Sequence, residues 1–283
     1  MKTTISIIKA DTGSVGGHNR PSNAMLAKAQ EQVDVAVQKG LLSDARITFT
    51  GDDIALLMVH SKGTDNPDIH KLAWDTFVAT TAIAKSQGLY GAGQDLLKDA
   101  FSGNVRGMGP GSAEIELEER PAEPFVVFAA DKCGPGVFNY PLFEAFANPY
   151  HNAGLLLAPE MHDGFTFTIM DVNNVDADKV ITLKVPSDYY DICTLLRDPN
   201  HYVIESVTEN ASGLQAAASS TSRLHNISGK YVGKDDPVAI VRTQKTFPST
   251  GEILSPWALA HFTLGDNRGS HHVAVMPVKQ NSI

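Results

Sequence analysis

The sequence predicts an α/β protein built on two β-sheets, each with helices on its outer side. Three observations lead there. The N-terminal part alternates strand, helix, hairpin and helix, the layering of a sheet covered by helices. Five further strand-like runs follow, too many for one small sheet. No Pro/Ser linker interrupts the chain, so a single compact domain over residues 1–283 is expected.

The elements follow in order. Thr3 to Ile8 is rich in β-branched residues and reads as a strand leading into the polar, glycine-rich segment Asp11-Thr-Gly-Ser-Val-Gly-Gly-His18. Ser22 or Asn23 beside Pro21 caps a helix whose Met25, Ala29, Val33 and Val37 share one face, and Gly40 closes it. Arg46 to Thr50 and Ile54 to His60 form a hairpin with Gly51-Asp-Asp53 at its turn, where both carboxylates can serve one site. Asn66-Pro67 starts a second helix, Ile69, Leu72, Ala73, Phe77, Ile83 and Ala84 give it an apolar stripe, and Gly88 stops it. Both helices cover the same sheet face. The later strands are Phe125 to Ala130, Phe165 to Val172, Lys179 to Val185, Tyr202 to Thr208 and Pro237 to Thr243.

A formal net charge of -9 argues against a nucleic-acid partner, since phosphate-backbone binding needs a basic face. An anionic substrate then requires a local basic site or metal ions. MKTTISIIKA is too short and too interrupted by Lys9 and Asp11 for a signal peptide or membrane span, and a cytoplasmic location is expected. Cys133 and Cys193 have neither metal-ligand spacing nor a disulfide framework and read as free thiols.

The chemistry-bearing residues gather at strand ends. Asp11 follows the first strand, Asp52 and Asp53 sit at the hairpin turn, Asp131 ends a strand, and Asp235-Asp236 precede another. Clustered carboxylates raise one another's pKa unless a hard cation neutralises them, and Mg2+ is the usual choice beside phosphate substrates. Taken singly, each aspartate is also a common turn or cap residue. Gly-Asp-Asp occurs in polymerase metal hairpins as well, yet the chain offers no basic template channel. Phe101-Ser-Gly-Asn-Val-Arg-Gly-Met-Gly-Pro-Gly111 can form an anion-binding nest or an ordinary loop; it has no P-loop ending and leads into a strand, which excludes a Rossmann fingerprint.

Gly229-Lys-Tyr-Val-Gly-Lys-Asp-Asp-Pro237 places a lysine next to two carboxylates. A Schiff-base lysine must lose its proton, whereas neighbouring carboxylates hold it, so Lys234 needs metal on Asp235 and Asp236 to become reactive. Tyr231 can relay protons if the segment turns locally. The alternative is a salt-bridged surface turn. His18, Gln94, Lys132, Gln244 and Arg268 are candidate ligand contacts, each beside such a motif or in a polar cluster.

Together, Lys9-Ala-Asp-x-Gly-Ser-x-x-Gly-His18, Gly51-Asp-Asp53, Tyr90-Gly-Ala-Gly-Gln94, the Phe101–Gly111 segment, Ala130-Asp-Lys132 and the Gly229–Pro237 segment resemble the bifunctional fructose-1,6-bisphosphate aldolase/phosphatase family. The resemblance runs from residue 1 to about Val278. It implies a four-layer α-β-β-α sandwich, a homo-octamer, and a gluconeogenic enzyme that condenses dihydroxyacetone phosphate with glyceraldehyde 3-phosphate and then removes the 1-phosphate. It also implies roles. Lys234 forms the Schiff base, Tyr231 moves protons, and Asp11 activates water. Asp11, His18, Asp52, Asp53, Gln94, Asp131, Asp235 and Asp236 hold Mg2+. His18, Tyr90, Gly103, Asn104, Lys132, Gln244, Lys245 and Arg268 contact the sugar phosphate. Family members continue beyond the Met276-Pro-Val278 region with further substrate contacts, so a phosphatase without aldolase activity, and a metal-binding but inactive form, stand as alternatives.

Overall fold

In the computed structural model, residues 2–96, 109–118, 120, 124–174, 180–220, 222–223, 235–256 and 272–278 are described. Strand β1 (Lys2–Asp11) leads through a glycine-rich loop into helix α1 (Asn23–Gln38), the hairpin β2 (Asp44–Thr50) and β3 (Asp53–His60), and helix α2 (Pro67–Ser86). Strands β4 (Gly111–Glu118) and β5 (Phe125–Asp131) precede the short helices α3 (Asn139–Phe146) and α4 (Gly154–Leu157). Next come β6 (Phe165–Asp171), β7 (Val180–Lys184), α5 (Tyr189–Leu196), β8 (Tyr202–Glu209), β9 (Gln215–Ser219), β10 (Ser222–Arg223), β11 (Val238–Arg242) and β12 (His272–Val278).

Caps place the first two helices. The Ser22 side chain accepts from the Met25 N–H, and Asn66 accepts from the N–H groups of Asp68 and Ile69 just ahead of Pro67. One sheet has the order β10-β4-β1-β3-β2 and the other β12-β5-β11-β9-β8-β6-β7, with antiparallel pairing throughout the described ladders.

Alternation along the strands sorts the core into layers. Ile8, Ala10, Leu56 and Met58 pack with Met25, Val33, Ile69 and Phe77 beneath α1 and α2. Ile5, Ile7, Leu57 and Ile115, from the opposite face of that sheet, meet Phe125, Val127, Ala129 and Ile240 of the second sheet. On the second sheet's far side Val126, Phe128, Ala130, Phe165 and Phe167 pack with Leu142, Phe146 and Ile192 of α3 and α5. The result is the α-β-β-α sandwich expected from the sequence. Sheets covered on both faces explain the uninterrupted burial of β3 from Asp53 to Met58 and of β5 over its whole length.

Short helices α3 to α5 and strands β9, β10 and β12 were not legible beforehand. Strand β1 also runs three residues past the predicted Ile8, so Asp11 is its last residue and pairs with Asp53 rather than lying in the loop.

Candidate active site

Strand phase builds the site. Lys9 and Asp11 continue the alternation of Ile5 and Ile7, Asp53 that of Leu57, and Asp131 that of Val127 and Ala129. All four therefore point into the space between the sheets, where the apolar layer gives way to charge. Asp52 joins them from the hairpin turn, in which Thr50 pairs with Asp53 and Gly51 adopts φ +56°. A Cβ on Gly51 would overlap the Asp131 carboxylate, so this glycine permits both the turn and the approach of the second sheet.

Asp11, Asp52, Asp53 and Asp131 are buried, Asp52 and Asp131 completely. Lys9, itself 1% exposed, forms an ion pair with Asp53 Oδ2. Lys132, held at φ +60°, donates to Asp52 Oδ1 at 2.9 Å and Asp131 Oδ1 at 2.6 Å. His18 Nδ1 lies 2.9 Å from Asp52 Oδ2, and its ring packs edge-on against Tyr90 at 4.8 Å. Tyr90 is fixed by reciprocal backbone hydrogen bonds with Ser14.

The charge does not balance. Burial foremost, then the fields of Asp53, Asp52 and Asp95, push the Asp11 carboxyl up to about 9. Burial and Asp53 raise Asp131 to about 7 against the pull of Lys132 and Lys9. Burial works in the same direction on Asp52, but the hydrogen bond and charge of Lys132, with His18, outweigh it and hold that carboxyl low. Lys132 is lifted above the ordinary lysine range: burial favours its neutral form, and Asp131 and Asp52 overcome that.

These residues suit a hard divalent cation. Asp11, His18 and Asp52 form one group whose ligand atoms lie within 4.8 Å of one another, and Asp52, Asp53 and Asp131 form a second. Asp131 Oδ2 is buried without a hydrogen-bond partner among the described residues, a costly state for a carboxylate oxygen unless a cation meets it. An all-oxygen set with one imidazole fits magnesium better than a thiophilic metal.

A cleft of ≈ 380 Å³ opens beside the cluster, lined by His18, Gln94, Lys132, Cys133, Gly134, Asp235 and Asp236. Asp236, at φ +49°, accepts the Cys133 N–H on Oδ1 at 2.7 Å and donates its own N–H to the Cys133 carbonyl. Asp235, Asp236 and Gln94 thus share one opening with His18 and Lys132, the two partners of Asp52, and Cys133 is a buried free thiol on its wall.

Other expected contacts lie elsewhere. Gln244 and Lys245, both exposed and at positive φ, follow the opposite end of β11, next to Pro124. At about 3.3 Å per strand residue they stand roughly 20 Å from Asp235 and Asp236. Gly103, Asn104, Tyr231, Lys234 and Arg268 fall outside the described residues.

Two site residues had been assigned no role from sequence. Asp95 accepts the Asp11 N–H on Oδ2 at 2.9 Å. Lys9 holds Asp53, and its signal was present: a lysine in phase with Ile5 and Ile7 on a strand buried on both faces needs a buried partner.

A sandwich with a cation-seeking carboxylate cluster and an adjoining cleft at the end of its inter-sheet layer is the frame of a metal-assisted phosphate-processing enzyme. Residues 2–283 match the family model described as fructose-1,6-bisphosphatase. The chain is similar to the fructose-1,6-bisphosphate aldolase/phosphatase of Thermus thermophilus, 55% identical over 100% of this chain and 77% of that protein. It is similar also to those of Ignicoccus hospitalis (50%, covering 98% and 71%) and Methanothermobacter marburgensis (48%, covering 99% and 76%). The chain belongs to this fructose-1,6-bisphosphatase family.

Proposed function

We propose that this protein is a magnesium-dependent fructose-1,6-bisphosphate aldolase/phosphatase, acting in gluconeogenesis as a single domain over residues 1–283. It joins dihydroxyacetone phosphate to glyceraldehyde 3-phosphate and then hydrolyses the 1-phosphate to give fructose 6-phosphate. The observation that supports the reading is the gathering of four buried aspartates beside a cleft, one of which, Asp131, has an Oδ2 without a hydrogen-bond partner among the described residues. The relatives' names supply the substrate.

Asp11, His18, Asp52, Asp53, Gln94, Asp131, Asp235 and Asp236 would hold the metal. Bound there, magnesium supplies positive charge that neutralises the phosphate and the departing oxygen. Asp11, ionised once a cation neutralises the repulsion of its neighbouring carboxylates, takes the proton of the attacking water. Lys132 lies between the acidic cluster and the cleft, positioned to exchange a carboxylate for a substrate phosphate. His18 lines the same opening with Tyr90 packed against it, and in this reading Tyr90, Gly103, Asn104 and Arg268 would contact the sugar phosphate.

For carbon–carbon bond formation, the Lys234 amine attacks the ketone of dihydroxyacetone phosphate and water leaves, while Tyr231 moves protons. A homo-octamer is part of this reading, with Gln244 and Lys245 supplied to the acidic cleft from a neighbouring copy, since within one chain they stand at the far end of β11. No helix among the described residues is long and apolar enough to cross a membrane, and the proposed location is the cytoplasm.

A phosphatase-only reading draws on the same geometry, since Asp11, His18, Asp52, Asp53 and Asp131 gather in two groups able to hold a cation while Gln244 and Lys245 lie apart. Two assays separate the readings. Magnesium-dependent phosphate release from fructose 1,6-bisphosphate is expected under both. Borohydride trapping of dihydroxyacetone phosphate on wild type, lost in Lys234→Arg, is expected only of the bifunctional enzyme. Phosphate release indifferent to magnesium would refute both.

A further inference from the structure

Lys9 is an odd component for a cation site. It is 1% exposed, projects into the layer between the sheets, and places its ammonium on Asp53 Oδ2. Burying an ammonium is costly until a partner compensates for the lost hydration, and a divalent ion alone would neutralise these carboxylates more completely. The lysine instead competes with the ion for an oxygen of Asp53 and repels it at close range. Lys132 differs, since its side chain keeps 15% exposure at the cleft, where substrate can draw it away.

We infer that Lys9 is a positioning residue, a fixed internal counter-charge that sets how weakly the acidic cluster holds its divalent cation. Two features support this beyond the ion pair. Asp52 belongs to both candidate ligand groups, so ions placed there would crowd one another, and a permanent positive charge on neighbouring Asp53 keeps that region from retaining cations irreversibly. Lys9 is also locked by strand pairing, opposite Ala55 on one side and Gly111 on the other, so its charge stays in place through turnover. The consequence is a metal complement that exchanges with the solvent. This rests on the magnesium reading above.

The test is calorimetric titration of Mg2+ into metal-free wild type, Lys9→Gln and Lys9→Arg. Glutamine keeps an N–H donor for Asp53 without charge, and arginine keeps the charge. Lys9→Gln is expected to bind Mg2+ roughly tenfold or more tightly, because a unit charge a few ångströms from a divalent ion is worth at least that factor even at a protein's high effective dielectric. Lys9→Arg should stay within about threefold of wild type on the same reasoning. Should Lys9→Gln fold only with metal, release of Mg2+ from the loaded protein into excess chelator gives the same answer, with dissociation slowed by a similar factor. Equal or weaker binding, or equal or faster release, in Lys9→Gln overturns the inference. Absence of Mg2+ binding to wild type refutes the magnesium reading instead.

Discussion

Two buried polar clusters sit on opposite faces of the same sheet, and they settle their charge in opposite ways. On the helix side, Ser6, His60 and Glu114 meet His70 at the start of α2. The Lys62 N–H donates to His60 Nδ1 at 3.2 Å, which leaves Nε2 to face Ser6 Oγ at 2.8 Å. Ser6 Oγ donates to Glu114 Oε1 at 2.5 Å, and the Asp65 N–H donates to Oε2 at 2.6 Å. On the inter-sheet side, Asp11, Asp52, Asp53 and Asp131 have Lys9 and Lys132 between them, and Asp131 Oδ2 has no hydrogen-bond partner among the described residues. In the first cluster both Glu114 oxygens find partners within the chain, and His70 Nδ1, without a hydrogen bond among the described residues, lies 3.7 Å from Asp65 Oδ1; its polarity holds β1, β3, β4 and α2 in register. The second leaves a buried carboxylate oxygen unmatched among the described residues, and buried polarity of that kind marks function.

Asp11→Asn should separate them most sharply. The amide keeps an acceptor for the Gly13 N–H, now bonded at 3.1 Å, but cannot accept the water proton. Phosphate release is expected to fall on the order of a hundredfold or more, the scale of losing a preorganised charged group. Metal-free thermal stability should rise, because a carboxyl pushed up to about 9 by burial and like charges has been removed. A fall in both would place Asp11 with the structural cluster.

Gly51→Ala comes next. Its Cβ meets the Asp131 carboxylate on a backbone at φ +56°, so Asp131 must move or the hairpin must shift. We expect destabilisation of about 1–3 kcal/mol in chemical denaturation together with a higher Mg2+ requirement for phosphate release. Stability lost without any change in that requirement would mean that Asp131 is no metal ligand.

The pH response gives Asp11 and Asp131 one sign and the helix-side cluster, joined by Asp52, the other. Asp131 and Asp11 have folded-state pKa values of about 7 and about 9, above their ordinary 3.8. Their contribution to stability is full below pH 3.8 and is lost as pH rises through those two values. Glu114 is held below 4.5, where its hydrogen bonds from His70, Ser6 and Asp65 outweigh burial, and burial holds His60 below 6.5. Those contributions are full above the ordinary values and are lost as pH falls through the lowered ones. Metal-free unfolding temperature should therefore fall toward alkaline pH, and saturating Mg2+ should remove that limb while leaving the acid limb intact. An alkaline limb unaffected by Mg2+ would sever the link between the aspartates and the metal.

What the sequence revealed follows the same division. The hairpin turn at Gly51-Asp-Asp53 and the capped helices after Ser22 and Asn66 are local features, set by residues a few positions apart, and they appeared where expected. Asp11, Asp52, Asp53 and Asp131 were legible as one group because motifs at strand ends share a rim. Lys9 and Asp95 were not, since their parts depend on which strand and loop lie opposite. Gln244 shows the limit of motif order: it follows Asp236 by eight positions yet stands at the other end of β11. Helices α3 and α5 are eight residues each, too short for a stripe to declare itself.

Ser6→Ala is the finest test of the contrast. Ser6 lies on β1 three residues before Lys9 and five before Asp11, but in the opposite phase, so its hydroxyl reaches only the helix-side cluster. Its loss removes one hydrogen bond to Glu114, which keeps the Asp65 N–H, and leaves His60 Nε2 without its serine partner. The cost should be about 1 kcal/mol in denaturant unfolding, near the net worth of a buried hydrogen bond. The Mg2+ requirement and phosphate release should stay at wild-type levels. A shift in either would show that β1 transmits strain along its length, and the two clusters would then be one mechanical unit rather than neighbours with separate tasks.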